Sequence, residues 1–174
     1  MRSNLRDNRA RQRNEGSMTM ELQKLSSREW GKAIGAGIAN GVLLSIIMVT
    51  ALKSGFSPLP KPLGLAFAEA VLGRSLPLPM GLLFHLAYVT FWSVAFVAFL
   101  RESLTLKNAL VLAFFLWLGV LVVFFPIVGW GLLGLAISPK LIVGAFVPHL
   151  LFGLFLWGIC RLAFKDREPV GSRA

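Results

Sequence analysis

Residues 108–128 read NALVLAFFLWLGVLVVFFPIV, a run without a single charged side chain. A bilayer core of ~30 Å needs roughly 20 such residues when they form one helix. A helix apolar on every face has no side to turn to water, so this one belongs in lipid or in the middle of a large core. Three windows of the same kind flank it, at 32–52, 80–100 and 141–161, and none of the four contains an acidic residue. The apolar run after Asn108 continues to Ile137, too far for one straight span. We read GWGLLGLAISPK at 129–140 as a glycine-rich turn at the membrane surface, with Pro126 weakening the end of the third helix. The expected fold is an all-α membrane protein: a four-helix transmembrane bundle, both termini inside, with a short amphipathic segment between helices one and two.

Composition agrees with this reading. Hydrophobic residues are 56% of the chain and charged ones 15%, the reverse of what a soluble surface needs. The net charge of +10 would suit a nucleic-acid binder, but its distribution argues against that partner. With the N-terminus in the cytoplasm, fourteen of the Lys and Arg residues fall on the inner side and four, Lys53, Lys61, Arg74 and Lys140, on the outer. That asymmetry is the positive-inside signal and puts both termini in the cytoplasm. The implied partners are the lipid bilayer and anionic lipid headgroups, which attract basic tails. Residues 1–29 form the N-terminal basic tail, expected to be largely disordered, with Met1, Met18 and Met20 as alternative starts. MELQKLSSR at 20–28 suits a short interfacial helix leading to Trp30. Residues 30–164 form the membrane domain and 165–174 a second cytoplasmic tail. The first apolar segment exceeds a signal-peptide h-region and lacks a small-x-small cleavage site before Lys53, so it is read as a retained helix.

Between the first two spans, Pro58, Pro60 and Pro62 forbid helix continuation, and Pro77 and Pro79 close the segment. Leu63, Phe67, Ala70 and Val71 lie near helical spacing between them, which predicts a short helix lying flat on the outer surface. No loop has enough residues to bury a second core, and no inverted repeat of the transporter kind is visible.

Helix one carries small residues every fourth position, Ala33, Gly37, Gly41 and Ser45, a stripe that lets another helix approach closely. The stripe serves either contact within the chain or a homo-oligomer, and a place in a larger membrane complex is a third use. Asn40 beside it should hydrogen-bond to a neighbouring helix, because an unpaired amide is costly in lipid.

The two histidines, His85 and His149, both fall inside spans, about five and eight residues from the outer end. At ~1.5 Å per residue these depths are roughly 8 and 12 Å, so the two sit at similar levels. Such a pair suits a proton-responsive element or the axial ligation of a haem b. Alternatively, each neutral ring simply bonds a backbone carbonyl or a hydroxyl such as Thr50, Thr90 or Ser93, and Pro148 eases local bonding by freeing the carbonyl four residues earlier. Glu69 is the one acid on the outer side; it is either solvated, paired with Arg74, or folded over the bundle mouth as a titration partner of the histidines. Trp30 and Trp130 read as interface anchors, while Trp92, Trp117 and Trp157 fall inside the spans, where an aromatic cavity for a pigment or quinone is conceivable.

Enzymatic chemistry finds no support. The spans hold no carboxylate, and the chain has no Cys/His metal cluster, P-loop or nucleophile elbow, so no catalytic and no metal-binding residues are assigned. Cys160, the single cysteine, reads as a small packed side chain. Haem b stands as the one cofactor alternative, in an electron-transfer subunit.

Four stretches together carry a family resemblance: GIANGVLLSIIMVTALKSGFSPLPKP at 37–62, FHLAYVTFWSVAF at 84–96, FFPIVGWGLLGL at 124–135 and HLLFGLFLWGICR at 149–161. In this order they resemble the YagU-type bacterial inner-membrane proteins, a group linked to acid resistance. The resemblance implies an inner-membrane location and a stress-related, non-enzymatic role. It also sets His85 and His149 where such proteins place histidines, and Pro126 on the proline of FP-x-x-G. The loop between helices one and two is shorter than that group's, and the family supplies no catalytic residues.

Overall fold

The structure, a computed structural model, describes residues 26–164. The expected disorder of the N-terminal tail, the interfacial helix at 20–28 and the tail at 165–174 fall outside these residues, apart from Ser26 to Glu29. Helix α1 spans Ser27–Lys53, α2 Leu63–Leu72, α3 Leu78–Leu100, α4 Leu106–Ile127 and α5 Lys140–Ala163. All described residues are helix, turn or loop, and α1, α3, α4 and α5 are each long and apolar enough to cross a membrane.

The spans sit within a few residues of the expected windows, with one instructive difference. α1 starts at Ser27, five residues before the window and inside the expected tail. Its start is set by a capping box: the Glu29 N–H donates to Ser26 Oγ at 3.3 Å, and the Ser26 N–H donates to Glu29 Oε2 at 2.9 Å. At α4 the Asn108 N–H donates to Thr105 Oγ1 at 3.3 Å, a second side-chain cap.

Pro126 acts as expected on the end of α4. Proline has no N–H and crowds the preceding turn, and the helix widens there into a π-helical turn at Val120–Phe124 before ending at Ile127. The segment after it reverses through left-handed backbone at Gly131 and Gly134 (φ 76° and 77°) around a 3-10 turn, as a glycine-rich turn should. Trp130 departs from the expectation. It is buried, its ring 5.3 Å from that of Phe125, so it packs the turn onto α4 instead of anchoring an interface.

The bundle is antiparallel. Arg101 at the end of α3 pairs with Glu29 at the start of α1 (2.7 Å), and Lys32 Nζ donates to the Ala163 carbonyl at the end of α5 (2.7 Å). α1 packs on α3 and on α5, and α4 packs on α5, whereas α3 and α4, consecutive in sequence, touch little. One core cluster, around Phe96, Phe152 and Leu156, fills the half near these two contacts, and a second, around Val120, Phe125 and Leu141, fills the other half along α4 and α5. Cys160 is fully buried in the first cluster.

Candidate functional site

The small-residue stripe of α1 is used inside the chain. Ala33, Gly37 and Gly41 are buried, and Gly37 lies against Thr90 and Ser93 of α3 while Gly41 lies against Leu86 and Val89. Asn40, beside them, is fully buried and donates through Nδ2 to the Phe152 carbonyl of α5 at 3.3 Å. It therefore ties α1 to a second helix, as an amide in this position must. Ser45, the last of the stripe, is half-buried, and its hydroxyl lies 3.0 Å from Nδ1 of His85 on α3.

A second close approach positions α2. Gly64 on α2 lies against the Gly81 carbonyl and His85 of α3, and Gly81 lies against the backbone of Leu65. Glycines at both points let the two helices touch backbone to backbone. Phe67 of α2 then meets Phe124 of α4 at a centroid distance of 4.8 Å, and Phe124 meets Tyr88 of α3 edge-on at 5.5 Å. These three rings bridge the sparse contact between α3 and α4.

Together these contacts enclose a partly open cavity of about 680 Å³, to which all five helices and the loop before α2 contribute. Its walls are mostly apolar, and both histidines line it. This volume and wall chemistry are those of a small-molecule site. The π-helical turn of α4 supplies Val120 and Phe124 to the wall.

The two imidazoles make one hydrogen bond each, through Nδ1. His149 Nδ1 is 2.7 Å from the Ala145 carbonyl, one residue beyond the carbonyl that Pro148 leaves without its helical donor. This is the carbonyl bonding that the sequence suggests. His85 bonds a hydroxyl, but that of Ser45 and none of Thr50, Thr90 or Ser93; the Ser93 hydroxyl donates instead to the Val89 carbonyl. Neither Nε2 has a hydrogen-bond partner among the described residues.

Glu69 has partners other than those expected. It pairs with Lys61 at 2.7 Å, not with Arg74, and accepts from the Leu76 N–H at 3.1 Å. The Lys61 hydrogen bond, and after it the Leu76 amide, hold this carboxyl below the ordinary carboxylate range. Lys61 itself lines the cavity, as does Lys140.

The aromatic rings on the cavity wall are Phe56, Phe67, Phe84, Tyr88, Phe124 and Phe152, and none of the in-span tryptophans is among them. Trp117 is occupied elsewhere, donating through Nε1 to the Ile142 carbonyl at 3.0 Å. A tryptophan inside a span is a signal for burial in the bundle or in lipid, not for a particular cavity. The elements that reasoning from sequence missed are Ser45 as a histidine partner and the Gly64 and Gly81 crossing. The latter leaves a faint trace, since both glycines stand near the prolines that bound their helices.

Residues 27–169 match DUF6789, described as a family of unknown function, and the chain belongs to that family. No curated protein and no solved structure matches it.

Proposed function

We propose that this member of the DUF6789 family is a non-enzymatic, multi-pass protein of the bacterial inner membrane, with both termini cytoplasmic, that responds to external acidity through His85 and His149. The orientation is supported by the charge asymmetry. Among the described residues, the antiparallel packing gathers Lys53, Lys61, Arg74 and Lys140 at one end, and Arg28, Lys32, Arg101, Lys107 and Arg161 at the other. The YagU-type resemblance supplies the acid setting.

One observation carries the acid reading: both imidazoles line the same cavity, in the half of the bundle facing Lys61 and Lys140. The other titratable groups on its wall are those two lysines and Tyr88, and no carboxylate is among the lining residues. A proton on either ring therefore places a positive charge in an apolar space with nothing of opposite sign facing it. The bundle must admit water or repack to solvate that charge. Protonation of His85 at Nδ1 also turns its contact with Ser45 from an accepted into a donated hydrogen bond, altering the α1–α3 tie.

The test is hydrogen exchange in nanodiscs between about pH 7.5 and about pH 4.5, with rates corrected for intrinsic exchange. Exchange around Ser45 and His85 is expected to rise roughly tenfold at the acid end, the effect of ~1.4 kcal/mol on an opening equilibrium. The double variant H85Q/H149Q should flatten the profile. A wild-type profile that is already flat refutes the acid reading.

The second reading, a haem b-binding electron-transfer subunit, is favoured by His149, whose Nδ1 donates to the Ala145 carbonyl and leaves the Nε2 lone pair for a metal. His85, on the same cavity wall, would be the second ligand once its ring shifts to the tautomer that donates Nδ1–H to Ser45 Oγ. An optical spectrum of protein expressed with ample haem decides it. A Soret band lost in His85→Ala or His149→Ala supports haem, and a featureless spectrum removes it.

A further inference from the structure

The hydrogen bonds around the two histidines define what each can offer a ligand. A carbonyl only accepts, so His149 Nδ1, 2.7 Å from the Ala145 oxygen, carries the proton, and Nε2 of the neutral ring holds a lone pair. The Ser45 hydroxyl has His85 Nδ1 as its hydrogen-bond partner. To use its own proton it must donate to Nδ1, which makes His85 the tautomer protonated at Nε2. On a largely apolar wall that also carries Lys61, Lys140 and Tyr88, the two rings thus supply one acceptor, His149 Nε2, and one donor, the His85 Nε2–H.

An acceptor and a donor on the wall of one cavity suit a hydroxyl group, which gives one hydrogen bond and takes another. The remaining wall narrows the ligand further. Phe67, Tyr88 and Phe124 form a contiguous aromatic surface on the cavity, with centroid distances of 4.8 and 5.5 Å across the shared Phe124. Such a surface favours a flat ring over an acyl chain. The apolar surface contributed by Leu44, Ile47 and Leu116 suits a hydrocarbon tail. A cavity of about 680 Å³ holds a substituted benzene ring and the first part of its tail.

We infer that this cavity binds a membrane-dissolved quinol, an aromatic ring bearing hydroxyls and an apolar tail, with one hydroxyl donating to His149 Nε2 and accepting from the His85 Nε2–H. The oxidised quinone offers only carbonyl oxygens. It satisfies His85 and leaves the His149 lone pair facing an acceptor, so the site prefers the reduced ring. Binding is sufficient here, and no electron transfer by the protein is required. The inference is separable from the acid response, because it is read as ligand binding at one fixed pH.

The probe is a decyl-substituted benzoquinol and its quinone, each titrated into the full-length protein in nanodiscs under anaerobic conditions, with empty nanodiscs as the partition control. Saturable quinol binding is expected, with the quinone roughly tenfold weaker, as an unmatched buried acceptor implies. His149→Phe should erase the difference between the two forms. Met48→Trp, which fills the cavity from α1 and leaves both histidines in place, should abolish binding of both. Equal affinity for quinol and quinone in the wild type, or undiminished binding in Met48→Trp, would overturn the assignment. So would a co-purified phospholipid or diacylglycerol that the quinol fails to displace.

Discussion

Alanine at Gly37 lowers the thermal midpoint of the detergent-solubilised bundle well below that of alanine at Gly41 or Gly31, although all three changes add one methyl group to the same helix. A Cβ at Gly37 would lie 2.8 Å from Thr90 Cα and 3.1 Å from Ser93 Cβ. A backbone atom cannot rotate aside, so α1 and α3 must move apart along their main contact. At Gly41 the nearest obstacle, at 2.6 Å, is Leu86 Cδ1, the end of a flexible side chain that can change rotamer. At Gly31 nothing lies within 4 Å, and alanine there gains helix propensity, ~1 kcal/mol. Overpacking against backbone costs about 1–3 kcal/mol, and leucine at Gly37 costs more than alanine. Thermal unfolding followed by near-ultraviolet circular dichroism ranks the variants. The close-contact argument fails if Gly37→Ala melts together with Gly31→Ala.

Gly81→Ala should lift α2 off the bundle while the four long helices persist. The added Cβ would sit 2.5 Å from Leu65 Cβ, 2.6 Å from its Cα and 2.8 Å from its nitrogen, so the obstacle is again backbone. α2 has only ten residues and is too short to hold its place without this contact. Its departure removes Leu63, Gly64 and Phe67 from the cavity wall and uncovers His85. Ala68 is fully buried in the docked helix, so a cysteine placed there in a Cys160→Ser background reports the docking. Maleimide labelling of Ala68→Cys should rise at least about tenfold on adding Gly81→Ala, in line with a packing loss of over ~1.4 kcal/mol. Equal, slow labelling in both backgrounds would show that α2 tolerates the methyl group. The quinol assignment gains a corollary, since an undocked α2 takes the Phe67 ring away from the site.

Much of this was legible in the chain. The four spans follow from uninterrupted apolar runs, and α2 follows from helical spacing between two proline groups. The capping box at Ser26 and Glu29 was equally legible as S-x-x-E, yet the basic tail before it drew the helix start five residues too late. Trp130 misled because a tryptophan next to glycines at a helix end has the composition of an interface anchor. Only the fold of the turn shows that its ring packs on Phe125. The partner of Glu69 was equally out of reach. Arg74 is nearer in sequence, but Lys61 reaches the carboxylate because the loop before α2 folds back along that helix.

What the sequence alone determined is one-dimensional: how many segments are long and apolar enough to cross a bilayer, where they stop, and which ends carry the basic residues. Hydrocarbon thickness and the need to satisfy every backbone group within a helix set these quantities, and both act along the chain. Tertiary structure decided which faces meet. In helices apolar on all sides, no polar stripe marks the buried face, so neighbours are chosen by where backbones can come closest. Gly37 on Thr90 and Gly64 on Gly81 set those points. The shared cavity of His85 and His149, the Ser45 contact and the aromatic bridge at Phe124 all follow from the crossings made there.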